Sequence, residues 1–141
     1  MLLRLSYFSR SLVSRSPDEV DAFLGPAREN NRASGITGLL LHVDGWFLQL
    51  LEGERAAVSQ LYNSLVQDYR HCEVTLVEAG EIRERKFPNA AMGLITPSPQ
   101  CPGRMIRFGP AGTFNPTMMS VPSVLALFDS FIGDTRLSAF S

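Results

Sequence analysis

One amide among apolar neighbours constrains this chain more than any other feature: Gln49, in Trp46-Phe47-Leu48-Gln49-Leu50-Leu51-Glu52-Gly53. The segment follows Gly35-Ile36-Thr37-Gly38-Leu39-Leu40-Leu41-His42-Val43 across Asp44-Gly45, a short-range hairpin signal. Strand side chains alternate between faces, so Phe47, Gln49 and Leu51 share one face and Trp46 points to the other. A buried amide left unpaired costs about 1–3 kcal/mol. Glutamine carries both a donor and an acceptor and can bridge two different polar groups. The pattern therefore predicts something polar against this sheet.

The surrounding sequence supplies the rest of a sandwich. Residues 2–8 read as a first strand. Ser16-Pro17-Asp18-Glu19 is a helix start, with a Ser cap, Pro at the first position and Glu three residues after the cap. Val20, Phe23, Leu24 and Ala27 give that helix an apolar face, and Gly25-Pro26 should kink it or end its first part, because proline removes a helix hydrogen bond. A second helix is expected over 54–69, with Val58, Leu61, Tyr62, Leu65, Val66 and Tyr69 inward. Residues 73–80 and 90–96 read as two more strands. The order β-α-β-β-α-β plus one strand gives an α+β fold, a ferredoxin-like sandwich. It has a five-stranded mixed sheet with both helices on one face.

Pro97, Pro99, Pro102 and Gly103 mark a linker, so residues 1–96 form a domain and 97–141 a linker and C-terminal helical extension. In that extension, residues 120–133 carry Val121, Val124, Leu125, Phe128, Phe131 and Ile132. This is more apolar surface than one exposed helix holds in water, so the helix should cover the other face of the sheet or meet a partner chain. Thirteen basic against 14 acidic residues in 141 leave no bulk field for nucleic acid or an anionic membrane. No run approaches the ~18 apolar residues of a membrane span, and the apolar start at Met1-Leu2-Leu3 is too short for a signal peptide. The two cysteines, Cys72 and Cys101, make neither a disulfide framework nor a metal set, which fits a reducing cytoplasm.

The polar residues around Gln49 then fall into an ordered set. Tyr7 lies near the end of the first strand, Asn30-Asn31 at the end of the first helix, and Gly35-Ile36-Thr37-Gly38 before the hairpin. Phe47-Leu48-Gln49-Leu50-Leu51-Glu52-Gly53, Arg70-His71, Arg85-Lys86-Phe87 and Met92 complete it across residues 2–95. In this set the chain resembles the BLUF family of flavin-binding blue-light sensors, and its length and C-terminal segment resemble the short, single-domain members. The resemblance implies an FAD whose isoalloxazine lies between the two helices. Spacing alone does not separate FAD from FMN. It implies that Tyr7 donates an electron with its proton and that Gln49 bridges Tyr7 and flavin N5. Turning or tautomerising the Gln49 amide then gives the flavin carbonyl a new hydrogen bond. Asn31 would read the flavin imide edge, Asn30 would be a second contact, and Arg70 and His71, at the far end of the second helix, would meet the ribityl chain or phosphates. The family's usual tryptophan, three residues after the phenylalanine of the last strand, is Ala90 here. Met92 alone should therefore flank the amide, and output through the tryptophan should be absent; Trp46, the chain's one tryptophan, faces away from Gln49.

Each residue alone also has a structural reading. Tyr7 is a core aromatic, Asn31 a helix end, Arg70 and His71 dipole partners, Met92 core filler. His42 reads as a strand-surface residue and Glu52-Gly53 as the shape of the turn into the second helix. Together the set points to a photoreceptor without turnover, acting through self-association and a response-regulator-type or other signalling partner. Two alternatives are a small flavin oxidoreductase or acylphosphatase-like hydrolase, and an interaction module without photochemistry. There is no GxGxxG fingerprint for a nicotinamide, and Ser9-Arg10-Ser11-Leu12 lacks the glycines of an anion-cradling loop.

Overall fold

In a computed structural model, residues 1–12, 17–96 and 114–134 are described. The Ser16 cap, the prolines and glycine of the 97–103 linker, and Cys101 lie outside them. The hairpin forms as its sequence dictates. β2 (Thr37–Val43) and β3 (Trp46–Glu54) pair antiparallel from Val43↔Trp46 to Thr37↔Glu52. Asp44 and Gly45 both take positive φ, 52° and 82°, which is the type I′ geometry whose twist matches paired strands. Gly38 is required for a different reason. Its φ is 154°, and a Cβ there would stand 1.9 Å from the Leu50 carbonyl oxygen.

β1 (Leu2–Ser11) lies antiparallel between β3 and β4 (His71–Ile82), and β5 (Gly93–Ile95) runs parallel to β2. The five-stranded mixed sheet has the order β4-β1-β3-β2-β5. Both expected helices pack on one face. α1 (Pro17–Ser34) contributes Val20 and Leu24, and α2 (Arg55–Val66) contributes Val58, to a core with Leu5, Tyr7, Leu40, Phe47, Leu51 and Met92.

Two local expectations are corrected, and one of two alternatives at Pro26 is ruled out. Pro26 does not end α1, which continues through it to Ser34. Ala22 and Pro26 are both exposed, so water can serve the Ala22 carbonyl that the missing N–H leaves unpaired. α2 stops at Val66 rather than 69, so Tyr69 falls in the following turn, 86% exposed, and Val66 is 49% exposed instead of inward. Arg70 is likewise in that turn and His71 opens β4, so neither stands on α2.

The other sheet face is covered by α3 (Val121–Asp129) and the turn after it. Ser120 caps this helix, its hydroxyl accepting from the Ser123 amide at 3.2 Å. Val124, Leu127, Phe128 and Phe131 bury against Leu39, Leu41, Trp46, Leu48, Leu50, Phe87 and Ala90. Of the six apolar positions named for this segment, Val121 and Ile132 remain exposed, since they lie off the stripe that the buried four define. Phe128→Ala should lower the unfolding free energy by about 3–5 kcal/mol. Ile132→Ala, at a half-exposed position, should stay within about 0.5 kcal/mol. Urea unfolding of both variants checks the assignment of the covering face.

Candidate functional site

The antiparallel register puts Tyr7 directly opposite Gln49. Both point to the α1/α2 face, where each is almost fully buried. The Tyr7 hydroxyl donates to Gln49 Oε1, and the other end of the amide, Nε2, donates to Met92 Sδ at 3.3 Å. Met92 sits immediately before β5 and is itself buried. The amide is thus held by one strong acceptor contact and one weak donor contact, because a thioether is a poor acceptor. Burial, then the nearby Asp68 carboxylate and Tyr62, push the Tyr7 phenol well above its ordinary pKa of about 10.

These three residues form part of the wall of a cavity between α1, α2 and the sheet. Phe23, Leu24, Ala27, Leu40, Phe47, Leu61 and Leu65 supply its apolar lining. The empty space it takes in, open solvent included, is about 550 Å³. Asn31 also lines it; this residue lies within the last turns of α1, is buried, and donates through Nδ2 to the Ala91 carbonyl at 2.6 Å. Asn30, its neighbour, is exposed and does not line the cavity, because adjacent helix positions point about 100° apart.

At the mouth, Arg70 grips Asp68 through Nε at 2.9 Å and Nη2 at 2.6 Å and lies over the Phe23 ring at 4.5 Å. The hydrogen bonds from Arg70 hold Asp68 below the usual carboxylate range. His71 has both ring nitrogens engaged, Nδ1 with Ser9 Oγ at 2.7 Å and Nε2 with the Leu65 carbonyl. The carbonyl can only accept, so Nε2 carries a proton and, in the neutral ring, the Ser9 hydroxyl donates to Nδ1. His71 therefore offers the cavity its ring rather than a polar atom, with Tyr7 and Phe47 near its edges at 6.0 and 6.2 Å.

Three residues with parts in this architecture escaped the sequence reading. His42 is not a surface residue: it is buried, stacks on Phe47 at 4.6 Å and 31°, and meets Ser11 Oγ at 3.0 Å. Its two-residue spacing from Leu40 was the available signal. Asp68, two residues before Arg70, had no signal beyond that proximity. Glu52 does not merely shape a turn; it is fully buried and its carboxylate accepts the Lys86 and Phe87 amides at 2.6 and 2.9 Å. A charge inside an otherwise apolar strand was the clue.

Known proteins share this arrangement of elements. The family model described as sensors of blue-light using FAD matches residues 2–93. The chain is 40% identical over 88 residues to photoactivated adenylate cyclase subunit beta of Euglena gracilis, covering 62% of this chain and 10% of that one. It is 31% identical over 95 residues to the blue light- and temperature-regulated antirepressor BluF of Escherichia coli K12, covering 67% and 24%. The solved structure of BlsA in its photo-activated state aligns with a TM-score of 0.80 at 26% identity, covering 94% and 95% of the two chains. Dark-state BlrB, a BLUF protein, aligns at 0.64 and 30% identity, covering 67% and 72%. The chain spans about a tenth of the length of the cyclase subunits it matches. With the family match running from β1 to the start of β5, the chain belongs to the BLUF family, the sensors of blue light using FAD.

Proposed function

We propose that this chain is a light-operated switch in which Tyr7 and Gln49 are the photoactive pair and Met92 their neighbour. The observation that carries this reading is the buried Tyr7–Gln49 hydrogen bond in the cavity wall. The lining of the cavity suits the isoalloxazine of FAD: its walls are apolar and aromatic, and its polar groups cluster in two places. Tyr7, Gln49 and Asn31 would meet the polar edge of the ring, and Arg70 the ribityl chain or phosphates outside the mouth. His71 would act as wall, since its nitrogens are committed to Ser9 and Leu65. Asn30, exposed on α1, could touch only parts of the cofactor outside the cavity.

When bound, FAD supplies blue-light absorption and an excited state that accepts an electron. Tyr7 would supply that electron while its proton passes along the existing hydrogen bond to Gln49 Oε1, and the phenol would take both back afterwards. The amide can settle in either of two orientations because the Tyr7 hydroxyl both donates and accepts. With Oε1 toward Tyr7, Nε2 rests on Met92 Sδ. With the ends exchanged, the hydroxyl accepts from Nε2 and the oxygen faces the other way. On the Met92 side the bond given up is weak, so the exchange costs little there. Burial keeps the Tyr7 proton in place until light acts.

Residues 1–96 then form the flavin-binding domain and 97–141 a linker with the C-terminal extension. The chain signals by contact rather than by turnover, through self-association and a separate signalling partner of response-regulator or other type, in the cytoplasm. The α3 packing against the sheet supports an internal route to such a contact. The named relatives include a photoactivated cyclase and a light-regulated antirepressor, which supports an effector role for light-sensing modules of this kind.

The purified protein should be yellow, with a small red shift after blue light that reverses in darkness. Gln49→Leu should keep the flavin and lose the shift; a shift that persists in this variant removes the amide from the mechanism. Alkaline titration tests the buried phenol. A phenol whose folded-state pKa is raised favours the folded protein fully below its unfolded value of about 10 and progressively less as the pH rises from there. Tyrosinate absorbance should therefore develop for fewer than the chain's three tyrosines until the protein unfolds, and Tyr7→Phe should leave that pre-unfolding amplitude unchanged.

A further inference from the structure

The segment 83–92 between β4 and β5 carries Met92 to the amide, and it is fixed from several elements in turn. Phe87 and Ala90 belong to the core under α3, whereas Met92 belongs to the core under α1 and α2. The segment therefore passes from one face of the sheet to the other. On the cavity side, Ala90, Ala91 and Met92 present their carbonyls to the Gly38 amide at 3.0 Å, Asn31 Nδ2 at 2.6 Å and Arg28 Nε at 2.9 Å. On the α3 side one carboxylate anchors the main chain. Glu52 takes the Lys86 amide on Oε2, and the Phe87 amide at 2.9 Å and the Thr37 hydroxyl at 3.3 Å on Oε1. Arg85 closes the group, donating to Thr37 Oγ1 at 2.9 Å and to the Glu52 carbonyl at 3.1 Å. Lys86 itself reaches Asp129 of α3.

We infer that Glu52 is a positioning residue for the light switch: by clamping Lys86 and Phe87 it fixes the path that sets Met92 against Gln49, and so governs how long the switched state lasts. The inference rests on the Gln49 reading above. Glu52 lies three residues beyond Gln49 on the same strand, on the opposite face, with no solvent exposure. It touches neither the cavity nor Tyr7 and acts only through the segment it holds. The chemistry requires a carboxylate. Two backbone donors arrive at its two oxygens, and a glutamine would turn one of them into an N–H₂ facing an N–H. That collision frees one end of the segment while leaving the Tyr7–Gln49 pair in place. A looser Met92 lets the amide turn more easily in both directions, which shortens the switched state rather than abolishing it.

The test compares wild type, Glu52→Gln and Thr37→Val as flavin-loaded full chains, following the dark spectrum, the light-induced shift, its decay in darkness and the thermal midpoint. Glu52→Gln should keep the dark spectrum and the full shift and decay roughly three- to tenfold faster, as expected when one hydrogen bond to a charged group is partly expressed in the barrier. Thr37→Val removes one hydroxyl from the same carboxylate and should accelerate decay in the same direction by less; it carries the test if Glu52→Gln does not fold. A lowered thermal midpoint with unchanged decay in the folded variants would make Glu52 structural only and overturn the inference. A wild type without any reversible shift would instead overturn the Gln49 reading, so the two failures are distinct.

Discussion

The register of β1 against β3 is the constraint on which the site depends. Leu5↔Leu51, Tyr7↔Gln49 and Ser9↔Phe47 are direct partners, and all six side chains point to the α1/α2 side. A slip of one residue would exchange faces, placing Ser6 and Phe8 in the cavity wall and sending Tyr7 under α3. Both faces of this sheet are buried, so the slip would also move Arg4 toward the inner core and Leu5 away from it. The hydrophobic pattern that fixes the fold therefore fixes the donor–amide pair as well. The I′ turn at Asp44-Gly45 secures the other side of β3. The hydrogen bond between Tyr7 and Gln49 consequently needs no loop to assemble it, since two central strands deliver both groups.

The two faces of the sheet differ in what they leave open. Under α3 the packing is continuous, with Leu127, Phe128 and Phe131 fully buried among Leu39, Leu41, Leu48 and Leu50. Between α1 and α2, partly buried Phe23, Ala27, Leu61 and Leu65 only approach the core, and the cavity is the space they do not fill. The closed face gives the sheet rigidity. The open face puts a polar pair where an aromatic ligand can reach it. The polar residues at the cavity mouth, Asp68 and Arg70, lie in the turn between α2 and β4.

Most of this was legible because it follows from alternation. Phe47, Gln49 and Leu51 against Trp46, Leu48 and Leu50 can be read from a period of two, and the structure keeps every one of them on its expected face. Endings were less legible. Nothing local distinguishes Leu65, inward on α2, from Val66 and Tyr69, because the helix stops where the chain must turn to start β4, and that is set by tertiary pairing of His71 with Ser11. The sequence places His71 as a helix-end cation, yet it meets the α2 carbonyl of Leu65 from the first position of a strand. Pro26 does not end α1, because a proline on a solvent-facing turn of a helix removes a bond that water can replace. Asn30 and Asn31 look equivalent in sequence and differ only by helical phase, which puts one in solvent and the other against the Ala91 carbonyl.

Ala90 shows how the two faces are joined. Its methyl is buried in the α3-side core beside Phe87, while its carbonyl accepts from Gly38 and the residue two positions on touches the amide. A small side chain there lets the segment lie close to β2. Gly38 must in turn lack a Cβ, because its own backbone approaches Leu50 so closely. The same crowding that excludes bulk from these positions makes the path from Phe87 to Met92 stiff, with a backbone or side-chain anchor at Lys86, Phe87, Ala90, Ala91 and Met92. The segment thus has one end at the amide, through Met92, and the other beside α3, where Lys86 meets Asp129.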